Sequence, residues 1–298
     1  MKYHQLKAFL TVAEQGSIRA AARSLHLSQA ALTKALKELE QDLGVSLVLR
    51  TARGVQLTAY GQRLRIRAQM VVSEMRRAED DIAHMRDTGT GSVAAAITPT
   101  TAMSFLPQAY NAFRKRMPHA QVSFIEGFTG VALPRLRDGS LDFVVAVVVA
   151  EQLAPEFDYF ELYRSHSAIV ARAGHPLAQC TTLAELVDAE WLLNPSPESS
   201  TRRLLDFFSE QGLPQPQRVI ECPSFVIAHA LLRGSDAIAA LPAPLLDYRF
   251  VEDGLVVLPI VDPIPPIAIG VVTRRDSPLT PAASLLLDCL RDAIGLPR

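Results

Sequence analysis

Ser17-Ile-Arg-Ala-Ala-Ala-Arg-Ser-Leu-His-Leu-Ser-Gln-Ala-Ala-Leu-Thr-Lys-Ala-Leu36, continued by Lys37-Glu-Leu-Glu-Gln-Asp-Leu-Gly44 and by Leu47-Val-Leu-Arg-Thr-Ala-Arg-Gly-Val-Gln-Leu-Thr58, is the stretch that decides the fold. Ser17 stands where the first free N–H groups of a helix need an acceptor, ahead of the apolar-periodic set Ile18, Ala21, Ala22 and Leu25. The run from His26 to Ser28 closes that helix and caps the next. Along the second helix Ala31, Leu32, Ala35, Leu36, Leu39 and Leu43 repeat at helical spacing and predict its buried face. Gln29, Thr33, Lys34 and Lys37 fall on the other side. Amides and hydroxyls at the start of such a helix can reach base edges in a major groove, and lysines can reach phosphates, so Ser28, Gln29, Thr33, Lys34 and Lys37 are candidate DNA contacts. Leu47 to Arg50 and Val55 to Leu57 read as two short strands, joined by a turn that carries arginine. Such a wing can lay Arg50 or Arg53 on a phosphate backbone or in a minor groove. With a further helix in front, from about Leu6 to Glu14, residues 1–58 read as a winged helix-turn-helix that binds double-stranded DNA.

The chain resembles a LysR-type transcriptional regulator. The matching residues are Leu6-Lys7-Ala8-Phe9, Ala13-Glu14-Gln15-Gly16-Ser17, Ala20-Ala21-Ala22, Leu25-His26-Leu27-Ser28-Gln29, Leu39-Glu40 with Leu43-Gly44, and Arg50 with Leu57-Thr58-Ala59-Tyr60-Gly61. Weaker matches follow at Leu136-Arg137-Asp138-Gly139-Ser140-Leu141-Asp142 and Gly174-His175-Pro176-Leu177. The resemblance implies that Gln29, Ala30, Thr33, Lys34 and Arg53 occupy DNA-contacting positions. The chain departs from the family pattern at Ala30, where proline is common after the Ser-Gln pair, and at Leu49, where phenylalanine is common before the wing arginine. The first removes a rigid first-turn residue from the reading helix, and the second changes packing in the wing.

At 298 residues with 49% hydrophobic content, the chain is long enough for several domains with a sizeable buried interior. Its net charge of -1 hides an asymmetry: residues 1–90 hold 14 Lys and Arg against 9 Asp and Glu, while the remainder is acidic. A basic head on an acidic body fits attraction to DNA confined to the N-terminal part. Met1 to Gln5 leads straight into an amphipathic stretch rather than an apolar leader, and the longest apolar run, Phe143 to Ala150, is only strand-sized. The expectation is a cytoplasmic protein with no membrane partner. Cys180, Cys222 and Cys289 are widely spaced without a metal-ligand pattern, and are read as reduced. The seven histidines show no metal spacing, and there is neither a nucleophile elbow nor a phosphate loop, so no cofactor, metal or enzymatic activity is expected.

From Thr58 to about Asp87 a helical stretch runs without proline, and its apolar positions Leu64, Ala68, Val71, Met75, Ala78, Ile82 and Met85 alternate in steps of four and three. That is a heptad seam, about 45 Å long at about 1.5 Å per residue, and it predicts a dimerisation helix. Two-fold pairing would bring two reading helices to two half-sites. The resemblance extends this homodimer to a homotetramer and leaves RNA polymerase as a further candidate partner.

Asp87-Thr-Gly-Thr-Gly-Ser92 marks a hinge. Residues 59–90 thus read as linker helix and hinge, and residues 91–298 as an α/β effector domain. Alternating strands and helices divide that domain into lobe I (91–161 and 267–298) and lobe II (162–266), with crossing segments between them. Pro99 to Met117 reads as mostly one helix. Two such lobes make a cleft where strand ends and helix starts converge. The resemblance implies the same: a periplasmic-binding-protein-like domain holding a small inducer. The turns Thr98-Pro99-Thr100-Thr101 and Asn194-Pro-Ser196-Pro-Glu-Ser199-Ser200-Thr201 offer hydroxyls and free N–H groups from opposite lobes, which suits a carboxylate or other oxyanion. Pro99, Thr100, Thr101, Asn194, Ser196, Ser199 and Ser200 are the candidate polar contacts, with Phe128, Val147 and Phe225 as apolar walls. Two alternatives stand beside this effector-controlled regulator: a redox-responsive regulator using Cys180 or Cys222, and a solute-binding protein or enzyme on the same two-lobed fold.

Overall fold

The computed structural model describes residues 1–51, 54–86, 89–127, 129–148, 153–195, 199–246 and 254–296, leaving aside the side chain of residue 200. The chain divides into two compact units, Met1–Arg86 with Arg137–Ser140, and Asp87–Leu136 with Leu141–Arg298.

The first unit opens with three helices, α1 (Tyr3–Gln15), α2 (Ile18–Ser24) and α3 (Gln29–Leu43). Ser17 Oγ accepts the Ala20 N–H and Ser28 Oγ accepts the Ala31 N–H, so both capping serines act as the sequence predicts. Between α2 and α3 His26 takes φ +54°, a left-handed conformation that histidine tolerates better than branched residues do. Leu32, Leu36 and Leu39 bury the inner face of α3 against Leu6, Phe9, Val12, Ile18 and Ala21. Each of the largest of these side chains contributes about 1.5–3 kcal/mol through burial. Ala31 and Leu43, expected inside, are exposed. At 100° per residue the buried stripe is narrower than the expected six positions, and its ends have turned towards solvent.

The wing is the antiparallel pair β1 (Val48–Thr51) and β2 (Gly54–Leu57), with Arg50 opposite Val55. Glu40 Oε1 accepts the Leu47 N–H at 2.7 Å and ties the wing to α3, while the Val55 N–H donates to the Gly16 carbonyl at 2.8 Å. The long helix α4 (Ala59–Met85) follows, capped by Thr58, whose Oγ1 accepts the Gly61 N–H. The expected seam splits along its length. Leu64 and Ala68 pack into the core with Leu6, Phe9 and Leu47, whereas Val71, Met75, Ile82 and Met85 are exposed. Val72 also packs on that core and Ser73 and Arg77 are buried further along, so α4 has one side engaged by its own unit while Val71, Met75, Ile82 and Met85 form an exposed apolar edge.

The second unit contains two five-stranded sheets. The first has the order β4-β3-β5-β12-β6, formed by β3 (Ser92–Ile97), β4 (Gln121–Glu126), β5 (Phe143–Val147), β6 (Phe157–Ser165) and β12 (Ile267–Arg274). The second has the order β11-β7-β10-β8-β9, formed by β7 (Ser167–Arg172), β8 (Glu190–Leu193), β9 (Arg218–Glu221), β10 (Ala237–Pro242) and β11 (Leu255–Val257). β3 pairs in parallel with β4 and β5, and β8 with β9 and β10, and residues at the carboxyl ends of β3, β5, β8, β9 and β10 line a shared cleft. Helices α6 (Leu106–Arg116) and α11 (Pro281–Ile294) cover one face of the first sheet and α7 (Thr129–Arg137) the other. Helices α8 (Ser200–Glu210) and α9 (Phe225–Gly234) do the same for the second sheet.

Two expectations are corrected. β6 pairs with β12 as far as Ser165, so the chain leaves lobe I at His166 rather than after residue 161. The partner strand lies about a hundred positions away in sequence, and nothing local to Phe160 marks which sheet it joins. The helix expected from Pro99 to Met117 is two, α5 (Pro99–Ser104) and α6, broken at Phe105. Pro107 has no N–H to give the Met103 carbonyl, so the helix restarts with proline in its first turn. The break has a structural use. Ser104 Oγ donates to the Pro244 carbonyl at 3.0 Å, and Met103 packs into the lobe II core, so α5 ties one lobe to the other.

Candidate functional sites

The outer face of α3 is a shallow polar surface formed by Gln29, Ala30, Thr33, Lys34, Lys37, Glu38 and Gln41. The four-residue steps 29, 33, 37, 41 and 30, 34, 38 make two adjacent ridges opposite Leu32, Leu36 and Leu39. Five of the six predicted α3 candidates are thus on one accessible face. Ser28 is the exception in role: its oxygen is engaged by the Ala31 N–H, which makes it a cap first. Lys34 Nζ lies 3.9 Å from Glu38 Oε1 on this exposed surface, a separation at which the pair is readily exchanged for a phosphate. Glu38 was not foreseen. It also accepts from buried Gln5 Nε2 at 3.3 Å through its other oxygen, which holds the carboxylate in place beside Lys34. Arg50 is exposed on β1 next to the wing turn. Arg53 lies outside the described residues.

The second site is a cavity of about 110 Å³ between the two sheets of the larger unit. At roughly 10–15 Å³ per water on this measure, it holds several waters or one small organic body. Pro99, Thr100, Val147, Asn194, Ser199 and Phe225, all expected contacts, line it. Thr98, Thr201, Cys222 and the floor from Ala239 to Pro242 line it as well. Strand β10 could not be assigned to the cleft from sequence, because its six residues are uniformly buried and no periodicity shows which face meets the gap. Phe128 and Ser196 lie outside the described residues, as does the side chain of Ser200.

Thr101 does not line the cavity. It is fully buried behind the wall, with its Oγ1 3.1 Å from Thr98 Oγ1 and 3.0 Å from the Tyr163 hydroxyl. The two helix starts also differ from the matched pair that the sequence suggests. Ser199 caps α8 through the Arg202 N–H and donates to the Asn194 carbonyl at 2.8 Å, and Thr201 Oγ1 accepts the Asn194 N–H at 3.1 Å. Those hydroxyls first build their own turn. Thr98 makes no side-chain cap on α5, which leaves the N–H of Thr100, a cleft residue, uncapped.

No side chain lining the cavity among the described residues is charged, and no group of His, Cys, Asp and Glu suited to a metal occurs among them. Cys222 is buried and donates to the Ser224 carbonyl, on the sheet face covered by α9. Cys180 packs on the opposite face, covered by α8, so the two thiols cannot join without refolding of lobe II. Desolvation and then the Glu185 carboxylate raise the Cys180 pKa, which disfavours the reactive thiolate. None of the helices among the described residues is long and apolar enough to cross a membrane.

Comparison with known proteins places both sites in context. Residues 3–62 match the model of the bacterial regulatory helix-turn-helix protein, lysR family, and residues 86–295 match that of the LysR substrate binding domain. The chain is 30% identical over 297 residues to the HTH-type transcriptional regulator PcaQ of Agrobacterium fabrum, covering 99% of this chain and 96% of that one. It is 32% identical over 292 residues to the HTH-type transcriptional regulator GalR of Pseudomonas putida, covering 97% of this chain and 73% of that one. Among solved structures, the fold resembles that of CbnR, a LysR family transcriptional regulator, with a TM-score of 0.74 at 24% identity, covering 98% of this chain and 99% of that one.

Proposed function

This chain belongs to the LysR family of transcriptional regulators, and from that premise we propose that α3 and the β1–β2 wing read duplex DNA under the control of a small organic anion held in the interlobe cleft. The observation that carries the DNA reading is the continuous exposed face of α3. Gln29 is placed to contact a base edge, Ala30 to give a methyl contact, Thr33 to contact either base or phosphate, and Lys34, Lys37 and Arg50 to contact phosphates. Arg53 joins this set as a wing contact on the family pattern.

Binding to DNA upstream of the chain's own gene, measured across a salt series, tests this reading. Lys34→Ala should weaken binding to all sequences and flatten the salt dependence by about one unit of log–log slope. Gln29→Ala should instead weaken the preferred site by about 1–3 kcal/mol while nonspecific binding stays. If neither variant differs from the parent, another surface reads the DNA.

For the effector, the support is chemical. Thr100, with its hydroxyl and uncapped N–H, and the polar edge at Asn194 and Ser199 meet an otherwise apolar chamber walled by Val147 and Phe225. No carboxylate lines it among the described residues, so nothing there repels an anion. A monoanion with an apolar body fits, because a second charge would find no compensating cation. In a thermal-shift screen of aromatic and aliphatic acids on the full chain, a binder at about a hundred times its dissociation constant should stabilise by about 2.7 kcal/mol. A panel in which only neutral compounds shift the transition would overturn the anion reading.

We assign the exposed edge of α4 at Val71, Met75, Ile82 and Met85 to a homodimer, since a seam of this length is shielded from water by a second copy. The tetramer and the contact with RNA polymerase rest on the family pattern alone, and the cytoplasmic location on the reading of the sequence.

A further inference from the structure

Behind the cleft wall three hydroxyls stand in line. The Tyr163 hydroxyl lies 3.0 Å from Thr101 Oγ1, which lies 3.1 Å from Thr98 Oγ1. Thr98 alone of the three lines the cavity. Each hydroxyl has a single proton to donate, so the chain has a direction, and the phenol end decides it. Among the described residues Thr101 is the one hydrogen-bond partner of the Tyr163 hydroxyl. Tyr163 is partly buried, and its phenol is a better donor and a poorer acceptor than the aliphatic hydroxyl of Thr101. Tyr163 therefore donates to Thr101. Thr101 is fully buried and has one other partner among the described residues, Thr98, so it donates to Thr98 rather than strand its proton. Thr98 accepts, does not cap α5, and has its own proton left over at the cleft. Burial pushes the Tyr163 phenol up to about 12, so it remains a donor across the working pH range. Phe105 meets the Tyr163 ring edge-on at a centroid distance of 5.4 Å, and Tyr163 is held in β6 opposite Ile269, itself a cavity residue.

We propose that Tyr163 is a positioning residue for the cleft: at the head of the chain Tyr163→Thr101→Thr98 it fixes the Thr98 hydroxyl as a hydrogen-bond donor, so the site selects a ligand oxygen that accepts over a ligand nitrogen that donates. A carboxylate or carbonyl oxygen satisfies the spare Thr98 proton. An ammonium or amide N–H placed there leaves that proton stranded against a second donor. The proposal rests on the cleft being the effector site and adds to it the polarity of one contact and the residue that sets it.

Benzoate and benzylamine, one ring with an accepting or a donating head, are the probes, titrated calorimetrically into the full-length protein. The parent should favour benzoate. In Tyr163→Phe the hydroxyls of Thr101 and Thr98 lose their fixed direction, and the benzoate-to-benzylamine affinity ratio should fall about tenfold. Thr98→Val should lower the ratio similarly, and the double variant should be no worse than Thr98→Val alone. A merely loosened cleft would weaken both probes alike and leave the ratio in place. An unchanged ratio in Tyr163→Phe, or additive losses in the double variant, overturns the positioning role while leaving the effector site standing. A parent protein that binds neither probe overturns the reading of the cleft as an acid site, and the proposal with it.

Discussion

Gly61→Ala is expected to destabilise the DNA-binding unit by about 3 kcal/mol or more, although alanine in a helix ordinarily stabilises by about 1 kcal/mol over glycine. Gly61 sits in the first turn of α4, where a β-carbon would stand 2.1 Å from the Leu47 carbonyl oxygen and 3.2 Å from Leu57 Cδ2. That carbonyl cannot retreat cheaply. It accepts the Thr58 N–H at 3.0 Å, and Leu47 is almost wholly buried against α1, α3 and α4. Either α4 lifts from the wing or the wing loses its anchor, and both outcomes misplace Arg50. The chain's single tryptophan, Trp191, lies in lobe II and reports the other unit. Gly61→Ala should therefore abolish DNA binding and lower helical content at moderate temperature while the Trp191 fluorescence transition stays where it was. A variant more stable than the parent would refute the close approach.

Gly270→Ala is the counterpart in the effector domain. A β-carbon at this position of β12 would stand 2.6 Å from the Phe160 carbonyl oxygen and 2.2 Å from the Tyr159 ring. The register between β12 and β6 shifts at Ile269/Gly270, so the ladder has already used its local freedom there. Pushing β6 away would also move Tyr163 away from Thr101 and from its partner Ile269 in the cleft wall. The expected loss is about 2–4 kcal/mol, seen as an earlier Trp191 transition in denaturant, together with weakened effector binding. DNA binding by the isolated motif chemistry of α3 should persist at low temperature. A Trp191 transition unchanged from the parent would show that β12 and β6 accommodate the methyl group.

The two glycines also show where sequence reading stops. Gly61 belongs to the run Leu57-Thr58-Ala59-Tyr60-Gly61 that carries the family resemblance, yet its physical role, room for the Leu47 carbonyl, is set by a residue fourteen positions earlier. Gly270 stands in an apolar strand with no turn around it, and only the neighbouring β6 explains it. The α3 face was legible because a helix displays its periodicity within one segment: the caps, the stripe Leu32, Leu36, Leu39 and the opposing Gln29, Thr33, Lys34 are all local. The cleft was legible at its two turns and hidden at its floor. β10 is apolar and buried throughout, and the run Ile267 to Val272 of β12 is apolar as well, so neither shows the alternation that would mark a face.

The sequence by itself determined the order of elements, the capped helices, the reading face and the existence of two α/β lobes, because each depends on periodicity, capping and turn chemistry within about twenty residues. Only the tertiary structure decided which sheet β6 joins, how α4 divides between its own core and an exposed seam, and that Thr101 stands behind the cleft wall rather than on it. Those outcomes depend on contacts between residues far apart in the chain, such as Tyr163 with Thr101 and Tyr159 with Gly270. No local pattern records which distant side chain or carbonyl will occupy the space beside a residue.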